Sequence, residues 1–278
     1  MCLLALCLCA LFARCEKEQL MHDPSTFASI AQDNPVSPDN PDEPDEPELP
    51  QRPDGDGICG TVTDYDGNTY QTVRLGSQVW MAENLRTKHY ANGVSIALGS
   101  TNSETVAYRY FPDGNSNYAS TYGYLYNWPA VMHNSSSSSS NPSHVQGICP
   151  TGWHVPSKAE WAQLVSYVSG VNYYLQMSGT AAKALASTTG WNTSTTPGAV
   201  GSVPSINNST DFNAKAAGKF WIDWYLPVGA VATYWTSTAD QTTSTPIAYI
   251  YGLGNNSAAV SNSSTNVYGG FSVRCVKN

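Results

Sequence analysis

The segment ICPTGWHVPSKAEW, Ile148 to Trp161, brings Cys149, His154 and Glu160 close together in sequence, a set able to do nucleophilic or metal chemistry. A thiol beside an imidazole can act as a thiolate nucleophile, and a cysteine with a histidine can begin a zinc site. Both chemistries need further groups, either an orienting partner for the imidazole or more metal ligands. The other histidines, His22, His89, His133 and His144, show no HxH, HxxxH or His-Cys spacing that would supply them. His154 is therefore expected to hydrogen-bond locally in the turn before a helix, and no metal or cofactor is expected.

Carboxylates are the next candidates. After residue 57 they are Asp64, Asp66, Glu83, Glu104, Asp113, Glu160, Asp211, Asp223 and Asp240, mostly isolated in sequence. Glycoside hydrolysis needs two of them facing each other across a sugar. Asp64 and Asp66 fall in TDYDGNTY, where Asp-Gly suits a tight hairpin turn. The same residues with Asn68 could be taken for calcium ligands, but the later glycine and distal glutamate of an EF-hand are missing. Nucleophile-elbow, phosphate-loop and dinucleotide motifs are also missing, so no catalytic residue is assigned and the chain is read as a non-enzyme.

The elements that must hold these residues are legible around them. Ser157 can cap a helix and Glu160, three residues later, can complete a capping box. Trp161, Leu164, Val165 and Val168 then follow at helical spacing, with Trp153 and Trp161 expected to be buried. A shorter helix is expected at 180–187. Short strands are expected on both sides of Asp66-Gly67 and, near the C-terminus, in VATYWTST, AYIYGLG and GFSVRCV. The serine run Ser135 to Ser140 reads as a flexible loop. The expected fold class is α+β, one domain over 58–278.

Charge is distributed unevenly. Residues 16–57 hold twelve Asp and Glu against Lys17 and Arg52, a balance of −10, whereas nine acids and ten bases follow from residue 58. The Pro/acid repeat within 34–57 reads as a stiff solvated spacer, so 16–57 is taken as a disordered linker. With no basic stripe to neutralise phosphates, nucleic acid is excluded as a partner. The apolar start, MCLLALCLCALFA, suits a signal-peptide core rather than a membrane span. Residues 1–15 look like a bacterial lipoprotein signal with Cys15 as lipid acceptor, implying export, an outer-membrane lipid anchor and presentation at the cell surface.

Cys59, Cys149 and Cys275 remain in the folded part, and exported domains favour disulfides over metal sites. Three cysteines leave one over.

The motifs together resemble the Fibrobacter succinogenes major paralogous domain. They are DGNTYQTVRLGSQVWMAENL at 66–85, YGYLYNW at 122–128, CPTGWHVPSKAEW at 149–161, DFNAKAAG at 211–218, YWTST at 234–238 and GFSVRCV at 270–276. A more distant likeness, to the C-type lectin-like fold, lies in the Gly-Trp-His-Val-Pro turn, the helix after it, YWTST and RCV. That likeness implies a disulfide between Cys149 and Cys275, the preferred pair, with Cys59 free, buried or paired elsewhere. It also implies that the ends of the domain meet. The calcium motifs of sugar-binding lectins and the cysteine pair of formylglycine-generating enzymes are absent, so neither activity is implied.

In such folds ligands meet the loops between the Trp strand and the last strand, here 239–270, rich in Tyr, Asn, Ser and Thr. Tyrosine gives rigid contact area with a polar tip, and Ser and Asn adapt around it. The candidate ligand residues are Trp235, Tyr249, Tyr251, Asn255, Asn256, Asn262, Asn266 and Tyr268. The expected function is non-catalytic recognition of an extracellular glycan or protein. The alternatives are a hydrolase acting on polysaccharide and a structural or tip subunit of a surface filament.

Overall fold

The first turn of the fold is built by Asp64 and Gly67. Gly67 takes a left-handed backbone at φ +80°, which joins β1 (Gly57–Thr63) to β2 (Thr69–Leu75). The Asp64 carboxylate accepts from the Asn68 backbone at 2.9 Å and the Tyr70 hydroxyl at 2.6 Å. Asp66 accepts from the Thr87 hydroxyl at 3.0 Å and pairs with His89 Nδ1 at 2.6 Å. Both carboxylates are thus engaged by protein groups, as a turn requires.

The computed structural model describes residues 50–278 apart from 222, 223, 241 and 243. Cys15 and the linker up to 49 lie outside the described residues. Gln51–Asn278 forms one compact unit of α+β architecture. Residues 51–57, expected in the linker, pack on it: Arg52 pairs with Asp211 at 2.6 Å, and Asp56 accepts from the Tyr167 hydroxyl at 2.8 Å.

After β2 the chain runs through β3 (Gln78–Met81), β4 (Ala97–Leu98), β5 (Tyr108–Tyr110), α1 (Ala119–Tyr122), β6 (Leu125–Tyr126), α2 (Trp128–Met132) and β7 (Trp153–His154). Three helices follow, α3 (Lys158–Gly170), α4 (Asn172–Ser178) and α5 (Ala181–Leu185). The last strands are β8 (Lys219–Trp221), β9 (Trp224–Leu226), β10 (Val231–Asp240), β11 (Ile247–Gly254), β12 (Ser261–Asn266) and β13 (Val276–Lys277). One sheet has the order β1-β2-β3-β13-β7, so the last strand lies beside the first meander and the domain ends meet. A second sheet is the antiparallel meander β10-β11-β12.

Helix α3 begins where the sequence places it. Ser157 accepts from the Glu160 backbone and the Glu160 carboxylate accepts from the Ser157 backbone at 2.9 Å, a complete capping box. Its inner face buries Trp161, Leu164 and Val168, while Val165 is only partly buried. Cys149 and Cys275 form a disulfide across a separation of 126 residues, tying the segment before α3 to the last strand. Within GFSVRCV only the end is regular strand. Arg274 turns inward and donates to the carbonyls of Met81 at 3.0 Å and Asn213 at 2.9 Å.

The second sheet is covered on both faces. Trp161 stacks on Tyr234 and Tyr251 at 5.2 and 5.4 Å. On the other face Trp235 meets Phe271 edge-on at 4.8 Å and donates to the Tyr126 carbonyl at 2.7 Å.

Candidate functional site

A bulge in β10 organises an open cleft at the edge of the second sheet. Trp235 faces Ile250 and Ala239 faces Ala248, so Thr236, Ser237 and Thr238 sit where β11 has only Tyr249 between its partners. These residues leave the ladder, and bulges of this kind turn side chains away from the sheet. Their polar groups find other partners. Thr236 Oγ1 donates to the Tyr249 carbonyl at 2.9 Å, and its own carbonyl accepts from Trp128 Nε1 at 2.9 Å. The Ser237 amide donates to the Pro156 carbonyl at 2.8 Å, and the Ser237 carbonyl accepts from the Ser138 amide at 2.9 Å. Thr238 Oγ1 donates to the Ser138 carbonyl at 2.7 Å and accepts from the Lys158 amide at 3.0 Å.

The serine run, expected to be flexible, is therefore tied to YWTST and forms one wall of the cleft. The cleft encloses about 320 Å³ and is lined by Ser137 to Ser139, Thr238, Ala239, Asp240, Thr242 and Tyr249. Lys158, the first residue of α3, places its ammonium 3.6 Å from the centre of the Tyr249 ring. Asp240 Oδ1 accepts from the Thr242 hydroxyl at 2.6 Å and amide at 3.0 Å. Those bonds hold its carboxyl below the usual carboxylate range. The arrangement offers hydroxyl donors, one carboxylate acceptor and an aromatic ring, a set suited to hydrogen-bonding a polyhydroxylated ligand.

Residues 73–277 match the Fibrobacter succinogenes major domain. The chain belongs to this family. The match begins within β2 and ends in β13, so the Fibrobacter succinogenes major domain contains the β10 bulge, the serine wall and α3. No curated protein and no solved structure matches the chain.

The eight candidate ligand residues do not converge. Tyr249 lines the cleft. Trp235 and Tyr251 must be corrected: at 0% and 4% exposure both are core residues of this major domain, covered by Phe271 and Trp161 respectively. The buried Tyr251 hydroxyl still donates to the Lys158 carbonyl at 3.2 Å and accepts from Asn262. Asn255 and Asn256 lie in the turn between β11 and β12, at the end of the sheet away from Asp240. Asn262 is exposed on β12, whereas Asn266 donates to the Tyr268 hydroxyl at 2.7 Å and Tyr268 packs on Trp221. Sequence reasoning missed the serine wall and Lys158. The capping box was the available signal for Lys158, since it fixes that residue at the helix start beside YWTST.

The opening triplet is spread over structural roles. Cys149 is in the disulfide. His154 Nε2 lies 2.6 Å from Glu160 Oε1 and Nδ1 lies 2.7 Å from Asn278 Oδ1, so its bonding reaches Asn278 as well as the local turn. Glu160 also accepts from the Ser143 amide at 3.1 Å. Among the described residues no group of three or more His, Cys, Asp or Glu is placed to hold a metal ion. No described helix is long and apolar enough to cross a membrane.

Proposed function

We propose that this domain is a recognition module that binds an extracellular glycan in the cleft between the serine wall and Tyr249. The observation that carries the reading is the convergence of Ser137 to Ser139, Thr238, Asp240 and Thr242 around one tyrosine ring, under a cation held 3.6 Å away. Sugar hydroxyls exchange hydrogen bonds with side-chain hydroxyls and a carboxylate, while their C–H faces pack against an aromatic ring. The cleft holds a single carboxylate, Asp240, which favours binding over the paired-carboxylate chemistry of glycoside hydrolysis.

A lipid anchor at Cys15 and an acidic, proline-rich tether would present the domain at the outer surface of the cell. We propose further that the fold is related to the C-type lectin-like fold. That relation is supported by the Cys149–Cys275 disulfide and by the domain ends meeting in one sheet. The test is a glycan array probed with the full-length chain, with and without chelator. Saturable, chelator-insensitive binding to a defined set of glycans is expected. A blank glycan array beside a positive protein array would overturn the glycan assignment.

A further inference from the structure

A second cleft lies around Glu83, Asn84, Arg86 and Lys215. It encloses about 130 Å³, the liquid volume of about four waters. Its charge is unbalanced. Glu83 pairs with Arg86 at 2.9 Å and also accepts from the Gln71 amide at 2.9 Å. Arg86 is further engaged by the Thr69 carbonyl at 2.8 Å and the Tyr70 ring.

That leaves two cations without a carboxylate of their own. Arg274, fully buried behind the cleft, donates only to neutral oxygens, among them Asn84 Oδ1 at 2.9 Å. Lys215 lines the cleft, and among the described residues its ammonium makes no ion pair or hydrogen bond. The side chains of Gln71, Ser120, Thr121 and Asn213 are likewise uncommitted there, so one ammonium, two amides and two hydroxyls converge on a small volume. Excess positive charge in a partly enclosed space concentrates anions.

We infer that this second cleft binds a compact oxyanion, the carboxylate of an acidic sugar or a phosphate group, held by Lys215 with hydroxyl and amide donors around it. The ligand restores the charge balance that Glu83 alone cannot give to Arg86, Lys215 and Arg274. Burial, together with neighbouring Arg274, holds the Lys215 ammonium below its usual range, a cost that a bound anion relieves. The two clefts share no lining residue, so each can be probed by its own variants.

Titration calorimetry of the full-length chain with sodium galacturonate and, separately, with inorganic phosphate at constant ionic strength tests the site. Saturable binding of at least one anion is expected, and which one responds identifies the group as carboxylate or phosphate. Lys215→Gln weakens that binding about tenfold or more, the worth of a charge-assisted hydrogen bond. Thr121→Val, at an exposed position where the fold is not at stake, weakens it about fivefold. No heat from either anion, or unchanged affinity in a folded Lys215→Gln or Thr121→Val chain, overturns the inference.

Discussion

The Lys158 ammonium lies 3.6 Å from the centre of the Tyr249 ring, which couples the start of α3 to the first half of β11. A cation over an aromatic face contributes about 0.5–1 kcal/mol when partly exposed. The pair also fixes Tyr249 at the edge of the serine-walled cleft. Lys158→Ala is expected to lower stability by about 0.5–1 kcal/mol in urea denaturation while weakening ligand binding more than that. Equal binding with lower stability would assign Lys158 to the fold alone.

The disulfide closes a loop spanning 126 residues of sequence separation, and both of its cysteines are fully buried. On the chain-entropy account, a constraint of this length stabilises by about 4–5 kcal/mol. The double change Cys149→Ala with Cys275→Ala is expected to reduce the unfolding free energy by about that amount. Guanidinium denaturation measures it, and mass spectrometry of the untreated protein should find the bond.

Stability should also depend on pH through His154. Burial disfavours its charged form, but the Glu160 carboxylate and the Asn278 amide oxygen more than offset this, so its pKa is raised above 6.5. Both ring nitrogens face acceptors, which only the imidazolium satisfies fully. A raised folded pKa means that the contribution is complete below the unfolded value, about 6.5, and is lost as pH rises through the folded value. The stability difference between the native chain and His154→Gln should therefore shrink from pH 6 toward alkaline pH. A difference that is flat with pH would show that folding leaves the proton affinity of the ring unchanged, and one that grows as pH rises from 6 would show a ring held neutral.

Arg274 is the most exacting core residue. Its guanidinium donates to Met81, Phe212 and Asn213 carbonyls and to Asn84, and lies 4.5 Å over the Phe212 ring. Arg274→Ala leaves these acceptors buried and unpaired, at an expected cost of about 3–5 kcal/mol. Thermal unfolding measures the loss. Arg274→Lys should recover little of it, because an ammonium cannot reproduce the planar fork of donors.

What could be read from sequence follows from local chemistry. The capping box and the 3.6-residue spacing after Ser157 gave α3, and Asp-Gly gave the β1–β2 turn. Strand β12 was missed because SNSSTN has little intrinsic strand preference and is held by its ladder with β11. α4 was missed because Asn172, Tyr173 and Tyr174 do not announce a helix, which here follows directly on α3. Composition alone makes Trp235 and Tyr251 candidates for ligand contact, because a segment rich in Tyr and Asn does not reveal that both faces of its sheet are covered. The bulge that builds the cleft depends on partners up to a hundred residues away in sequence, such as Ser138 with Thr238, and nothing local encodes it.

The glycan-binding reading stands or falls at Tyr249. The decisive measurement is the affinity of the full-length chain and its Tyr249→Ala variant for the glycans that the native chain retains on an array. The variant should remain folded, since Tyr249 is only partly buried, and should lose at least about tenfold in affinity, the worth of a stacked ring with its hydrogen-bonding tip. Unchanged affinity in a folded Tyr249→Ala chain would contradict the assignment of this cleft.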